Sequence, residues 1–237
     1  VTHLSRARTA IGRVAEVIAA LCALLIALPA VVLIAIAIRI DTAGPIFYSQ
    51  IRLGRNGRRF RLYKFRKFGR WAEGSWQAVT LRDDPRMTRV GRILERTKLD
   101  ELPQFWNIVI GDMAFVGPRP ETENFADCFT GPFQRVLDHV PGLFGPTQVL
   151  FRNEGAMFPK DCDPHDFYRG VLFPAKARID LSYYPQRTLA SDIAWILRSI
   201  FALLSFSSPA NETACMEPCL LRDQSPQAAS SHRAEWN

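Results

Sequence analysis

From Val17 to Ile38 the chain carries apolar residues only. At about 1.5 Å of helical rise per residue such a run reaches roughly 33 Å, enough to cross a hydrocarbon core of about 30 Å. A signal peptide would be shorter and would end at small residues suited to cleavage, whereas this run continues into Arg39, Ile40 and Asp41; it reads as a retained anchor. Its flanks pose a problem of topology, because basic residues mark cytoplasmic ends. They stand on both sides: Arg6, Arg8 and Arg13 before, Arg39, Arg52, Arg55, Arg58, Arg59 and Arg61 after. Pro29, near the middle, removes a helical hydrogen bond and crowds the preceding turn. A bend there would bring the helix out on the side it entered. Residues 14–40 are therefore expected to form a re-entrant membrane helix broken at Pro29, behind a basic segment 1–13 and with both ends cytoplasmic. A straight span is the alternative.

The remainder of the 237 residues suffices for one ordinary domain. With 30 Lys and Arg against 23 Asp and Glu the net charge is +7, which favours a polyanionic partner: nucleotide phosphates, nucleic acid or an anionic membrane. Five cysteines without CxxC pairing support neither a disulfide framework nor a zinc site. The four histidines lack metal-ligand spacing, and no Walker, GxGxxG or GxSxG motif is present.

After the anchor, residues 44–66 alternate around Arg55-Asn56-Gly57, which predicts a β-hairpin with a two-residue Asn-Gly turn and a cationic ribbon beside the bilayer. A helix is expected at 87–95. A second should start with Asp100 as N-cap and Pro103 in its first turn, present Phe105, Trp106, Ile108 and Val109 on an apolar face, and stop at Gly111-Asp112. Pro118 and Pro120 hold Arg119 in an extended stretch. A loop rich in Gly and Pro from Pro141 leads into helix through Tyr168 and Lys176. The apolar stretch 191–206, interrupted by Arg198, suits an interfacial helix, and the tail 207–237 reads as disordered. The fold class is α+β, mostly helical, with a small catalytic domain over 41–206.

Asp100-Glu101 at a helix start would sit where free N–H groups favour negative charge. With a divalent cation to screen repulsion, Asp100 could attack a phosphoryl group, steadied by Lys64, Arg66, Arg96 and Arg119. By spacing alone, such a pair more often only begins a solvated helix.

The ordered strings GPIFYSQIRLG, LYKFRKF, TRVGRILERTKLDELPQFWNIVIGDMAFVGPRP, PGLFGPTQV and DLSYYPQRTLASDIAWIL resemble the bacterial sugar transferase family, the monotopic phosphoglycosyl transferases, from the apolar segment to about residue 200. The resemblance implies a short form of that family, acting on the cytoplasmic membrane face. There Asp100 attacks a UDP-sugar donor, releases UMP and passes the sugar 1-phosphate to polyprenyl phosphate. Mg²⁺ is placed by the same Asp100, Glu101 assists, and Lys64 and Arg119 are implied phosphate or nucleotide ligands; Arg66, Arg96 and Gln104 are further candidate substrate or phosphate ligands. Lipid is a partner, and nucleic acid is not expected; a non-catalytic anchored protein binding anionic lipid or nucleic acid is the alternative. Three positions depart from the family pattern. Leu28 precedes Pro29 where serine is common, Lys98 stands where serine is usual, and Glu95 stands where an arginine is common. Either Arg96 takes that arginine's place or one phosphate contact is lost.

Overall fold

The computed structural model describes residues 3–69, 80, 84–159 and 161–204; the tail expected to be disordered lies outside them. Helix α1 (His3–Asp41) takes in Arg6, Arg8, Arg13 and Arg39 as well as the apolar run, with Pro29 inside it. Among the described residues it is the one helix long and apolar enough to cross a membrane, and only 6% of its most apolar window is buried. A core helix of the same composition would be enclosed; here Leu25 and Ile26 are 71% and 81% exposed.

Both halves of α1 nevertheless touch the domain that follows. In the first half Ala20 joins a core cluster with Phe60, Leu62, Ile108, Met113 and Leu143. Two turns earlier, the Arg13 guanidinium donates to the carbonyls of Ile108, Val109 and Met113. In the second half Ile38 packs with Phe65 and Leu94, and Val31, Ile34, Val90 and Leu102 close around them.

The expected hairpin forms from β1 (Phe47–Leu53) and β2 (Arg59–Phe65), antiparallel from Phe47 opposite Phe65 to Leu53 opposite Arg59. The reversal is longer than a two-residue turn. Residues 55–57 make a 3-10 turn closed by Gly54 N donating to Arg58 O at 2.8 Å, with φ of 56° at Asn56 and 72° at Gly57. Those left-handed angles are why Asn-Gly marks the place. Side chains alternate along a strand, so Lys64 shares a face with buried Phe60 and Leu62 and points inward rather than at the bilayer. The outer edges of both strands are covered. Asn107 accepts from Tyr63 N at 3.1 Å and donates to Arg61 O at 2.7 Å, and Leu53 N donates to Glu121 O at 2.8 Å.

Helix α2 (Arg89–Thr97) is capped by Thr88, whose Oγ1 accepts from Gly91 N. It leads through a 3-10 turn (Leu99–Glu101) into α3 (Gln104–Ile110), which Gly111 ends at φ 99°. Strand β3 (Ala114–Val116) pairs in parallel with β4 (Gly142–Phe144), a second sheet that the alternation pattern did not announce. Then come α4 (Pro146–Leu150), α5 (Pro164–Phe167), a π-helical turn (Tyr168–Leu172), α6 (Phe173–Tyr183) and α7 (Leu189–Leu204). On α7 Leu189, Ile193, Leu197 and Phe201 repeat at helical spacing and are all exposed.

Candidate active site

A cavity of about 740 Å³ lies among the hairpin, the Leu99–Glu101 turn, the segment 119–122, α4 and the π-helical turn. Its charged wall starts from Lys98. This residue ends α2 in the left-handed region, at φ 55°, a conformation that costs a non-glycine residue about 1 kcal/mol. The chain is thereby redirected, and the 3-10 turn that follows buries Asp100 to 1% exposure. Asp100 is consequently not the N-cap of α3; Pro103 occupies that position, and no side chain caps the helix. The 3-10 bonds Glu101 N to Lys98 O and Leu102 N to Leu99 O run on into α3 instead.

The two adjacent carboxyls have opposite surroundings. Glu101 Oε1 accepts from Lys64 Nζ at 2.7 Å and from Arg119 at 2.9 Å. Burial opposes its ionisation, but Arg119, Lys64 and Lys98 prevail and hold it well below the usual carboxylate range. Glu101 in turn holds Arg119 firmly charged. Asp100 is served less well: Lys64 Nζ stands 3.7 Å from Oδ2, and Oδ1 is buried with no hydrogen-bond partner among the described residues. Burial raises its pKa, Lys64 pulls it back, and the charge on Glu101 raises it further. The dyad thus holds one carboxylate fixed by cations and one with an open oxygen.

Lys64, Arg119, Asp100 and Glu101 are brought together as the sequence led one to expect. Arg66 lines the same cavity, yet its guanidinium donates to the carbonyls of Thr42 and Ala43 and to Thr42 Oγ1, tying down the chain after α1. Arg96 is exposed on α2 and away from the cavity wall. Gln104 is buried in the first turn of α3, off the wall, its Nε2 without a partner among the described residues. Pro29, on α1, does not line this cavity.

Sequence reasoning missed a second layer of cations. Glu95 is half-buried on the cavity wall with Lys67 on one carboxylate oxygen and Lys98 on the other at 3.1 Å. Burial disfavours its charge, but Lys98 and Lys67 bring its pKa to about 2. Glu95 and Lys98, two of the positions expected to depart from the family pattern, thus pair with each other, and Arg96 takes no part in that pair. Pairing of this kind has no signature in chain order, although Lys67 stands in the KFRKF string.

The opposite wall was also missed. Tyr168 Oη donates to Glu121 Oε1 at 2.6 Å, and Lys176 Nζ donates to Tyr168 Oη at 3.1 Å and to Glu154 Oε2 at 2.5 Å. All four residues line the cavity.

Among the described residues no group of three His, Cys, Asp or Glu is placed to hold a metal by itself. The open Oδ1 of Asp100 still fits a magnesium ion, which commonly takes only one or two carboxylates and completes its shell with substrate phosphates and water.

Residues 7–206 match the bacterial sugar transferase family. A protein of Bacillus subtilis (strain 168), provisionally named an undecaprenyl-phosphate N-acetylgalactosaminyl 1-phosphate transferase, is 44% identical over 131 residues, covering 54% of this chain and 73% of that protein. The exopolysaccharide production protein ExoY of Rhizobium meliloti (strain 1021) is 31% identical over 203 residues, 79% of this chain and 83% of that one. The UDP-glucose:undecaprenyl-phosphate glucose-1-phosphate transferase of Escherichia coli (strain K12) is 37% identical over 154 residues, 62% of this chain but only 32% of its own length. The Aeromonas hydrophila relative is likewise matched over 38% of its length. With the family match spanning the anchor helix, the dyad and the cavity alike, the chain belongs to the bacterial sugar transferase family.

Proposed function

We propose that this chain transfers a sugar 1-phosphate from a UDP-sugar to undecaprenyl or a similar polyprenyl phosphate, through a phosphosugar held covalently on Asp100. The observation that carries the reading is the open, buried Asp100 oxygen beside Glu101, Lys64 and Arg119 in one cavity. Four cations (Lys64, Lys67, Lys98, Arg119) face three carboxylates there, so the wall keeps a net positive charge for a diphosphate. Relatives named as UDP-glucose:undecaprenyl-phosphate and UDP-N-acetylgalactosamine-undecaprenyl-phosphate transferases support both substrates.

In the first step the Asp100 carboxylate forms a bond to the sugar-proximal phosphorus. The bond from that phosphorus to the bridging oxygen breaks, and the oxygen departs with UMP. In the second step an oxygen of polyprenyl phosphate bonds to the same phosphorus, the bond to Asp100 breaks, and the carboxylate is restored. Arg119, kept charged by Glu101, and Lys64, which Glu101 aims, stabilise charge on the phosphoryl oxygens, where preorganised donors act most strongly. Mg²⁺ held through Asp100 would supply further neutralisation of the diphosphate.

The acceptor is a lipid, which suits the anchor. We place both ends of α1 on the cytoplasmic side, the helix turning at Pro29, and α7 at the interface with its exposed apolar stripe in the headgroup layer. Intact-protein mass spectrometry after incubation with UDP-sugar and Mg²⁺ but no acceptor tests the chemistry. The wild type should gain the mass of a phosphosugar, and Asp100→Asn should gain nothing and lose at least about 10³-fold in UMP release. An unmodified wild type that still turns over would refute the covalent route.

A further inference from the structure

The wall facing the dyad is as fully built as the dyad itself. Glu121 is 9% exposed, Tyr168 3% and Lys176 5%, and they form one chain of hydrogen bonds with Glu154. Tyr168 opens the π-helical turn, an irregularity frequent at functional sites because it re-aims side chains that an α-helix would stack. Phe125 stacks on Tyr168 at 4.2 Å between ring centroids and fixes the phenol. Alongside, Thr122 Oγ1 is buried with no hydrogen-bond partner among the described residues, and Thr122 and Phe125 line the same cavity.

This wall is poorly suited to the charged part of the donor. Glu121 and Glu154 balance the Lys176 ammonium and the Arg52 guanidinium beside Glu121, leaving no net positive charge for a phosphate, which the wall of the dyad attracts. A wall of carboxylate oxygens, a phenol, a lysine and an unpaired threonine hydroxyl instead matches a ring carrying several hydroxyls, each able to donate and accept. Glu121 and Glu154 both act electrostatically on Arg119, so the wall lies one residue's reach from the phosphate-binding arginine. In a sugar diphosphate the hexose is joined directly to the phosphate under attack.

We propose that Glu121, Tyr168, Lys176 and Glu154, with Thr122, form the hexose subsite and determine which sugar is transferred. This inference rests on the sugar-phosphate transfer reading above. Discrimination between hexoses that differ at one hydroxyl depends on buried polar groups that the wrong epimer leaves unpaired, an effect that can exceed tenfold.

The test measures kcat/KM for UMP release with UDP-glucose, UDP-galactose and their N-acetylamino counterparts, and the inhibition constant of UDP, in wild type, Glu121→Gln, Tyr168→Phe and Lys176→Met. The expected result is a change of about tenfold or more in the ratio between two donors, with inhibition by UDP altered less than about threefold. A common loss for all four donors, or a shift in UDP inhibition as large as that in the donors, would overturn the assignment. Tyr168→Phe removes one oxygen and carries the test if the charge-changing variants do not fold. A wild type that releases UMP from no UDP-sugar would sink the transfer reading and this one with it. Unchanged donor ratios in active variants would sink this one alone.

Discussion

Asp180 shows how much a single side chain can tie this molecule to pH. It lies on α6 with 5% of its surface exposed, and the contact that reaches it is Thr147 Oγ1 at 3.4 Å. Burial pushes its carboxyl up to about 8, with the Thr147 hydrogen bond opposing, whereas an aspartate in an unfolded chain titrates near 3.9. Below about pH 4 both states are protonated. Between about pH 4 and 8 the folded state keeps a proton that the unfolded state has lost, so each step upward in pH removes stability, by at most about 1.4 kcal/mol per unit. Above about 8 both states are ionised and the loss is complete. The wild-type melting temperature should therefore fall between pH 5 and 8, and Asp180→Asn should lack that part of the slope. Melting curves of the two proteins across this range check it; parallel slopes would refute it. The neighbouring pair Asp100 and Glu101 makes the same point for chemistry, since adjacent carboxyls are driven in opposite directions by burial and by the cations each one reaches.

At the scale of elements, the two proline-rich loops are held by backbone contact that admits no side chain. A Cβ on Gly117 would lie 2.2 Å from Val140 O, and one on Gly142 would lie 2.0 Å from Gly117 N. Where the parallel strands β3 and β4 end, Gly117 N donates to Phe144 O and Gly142 N to Pro118 O, and Gln148 Nε2 donates to the carbonyls of Gly117 and Gly142. That clamp sets the start of the segment carrying Arg119. Gly142→Ala should cost about 1–3 kcal/mol of stability, as other overpacked sites do, and should lower turnover more than a distant substitution of equal cost, because Arg119 moves off Glu101. Thermal unfolding beside UMP release would check this; full activity with an unchanged melting temperature would refute it. The same elements show what the chain reveals in its order. The hairpin was legible because its alternation is local and Asn56-Gly57 needs left-handed angles. The end of α3 was legible from Gly111. The β3–β4 pairing was not, since three-residue strands leave no period, and Trp106, expected on the apolar face, is 49% exposed while polar Asn107 is buried to complete the edge of β2. In the site, Asp100, Glu101 and Arg119 were legible from one contiguous string and Lys64 from a second one upstream. Tyr168 and Lys176 belong to no motif, and tertiary packing alone brings them opposite Glu121.

For the whole molecule, the decisive question is how one apolar helix can be attached at both ends to the same domain. Ala20 and Ile38 would be about 27 Å apart along a straight helix. The residues of β2 in their respective clusters, Phe60 and Phe65, are separated by five strand steps, about 17 Å at most. The turn proposed at Pro29 would shorten the path of α1 to fit, and residues 28–30, which follow one another around the proline, are all exposed, as the tip of a helix leaving the domain would be. The polar attachments agree with this. Arg13 satisfies carbonyls at the C-terminal end of α3, and Asp41 Oδ2 accepts from Val90 N at 3.0 Å at the start of α2, so α1 is hydrogen-bonded to the domain on either side of its apolar run. If the helix instead crossed the bilayer, one of these two polar attachments would have to be broken and its buried groups left to water. Single cysteines at Gly12 and Ile40, introduced after replacement of the five native cysteines, should therefore both react with an impermeant maleimide in inverted vesicles and both stay unlabelled in intact spheroplasts. Labelling of the two positions from opposite faces would rule out the re-entrant arrangement. Pro29→Ala, which restores the missing helical hydrogen bond, should favour the straight form and move Gly12 towards labelling from outside while Ile40 stays inside.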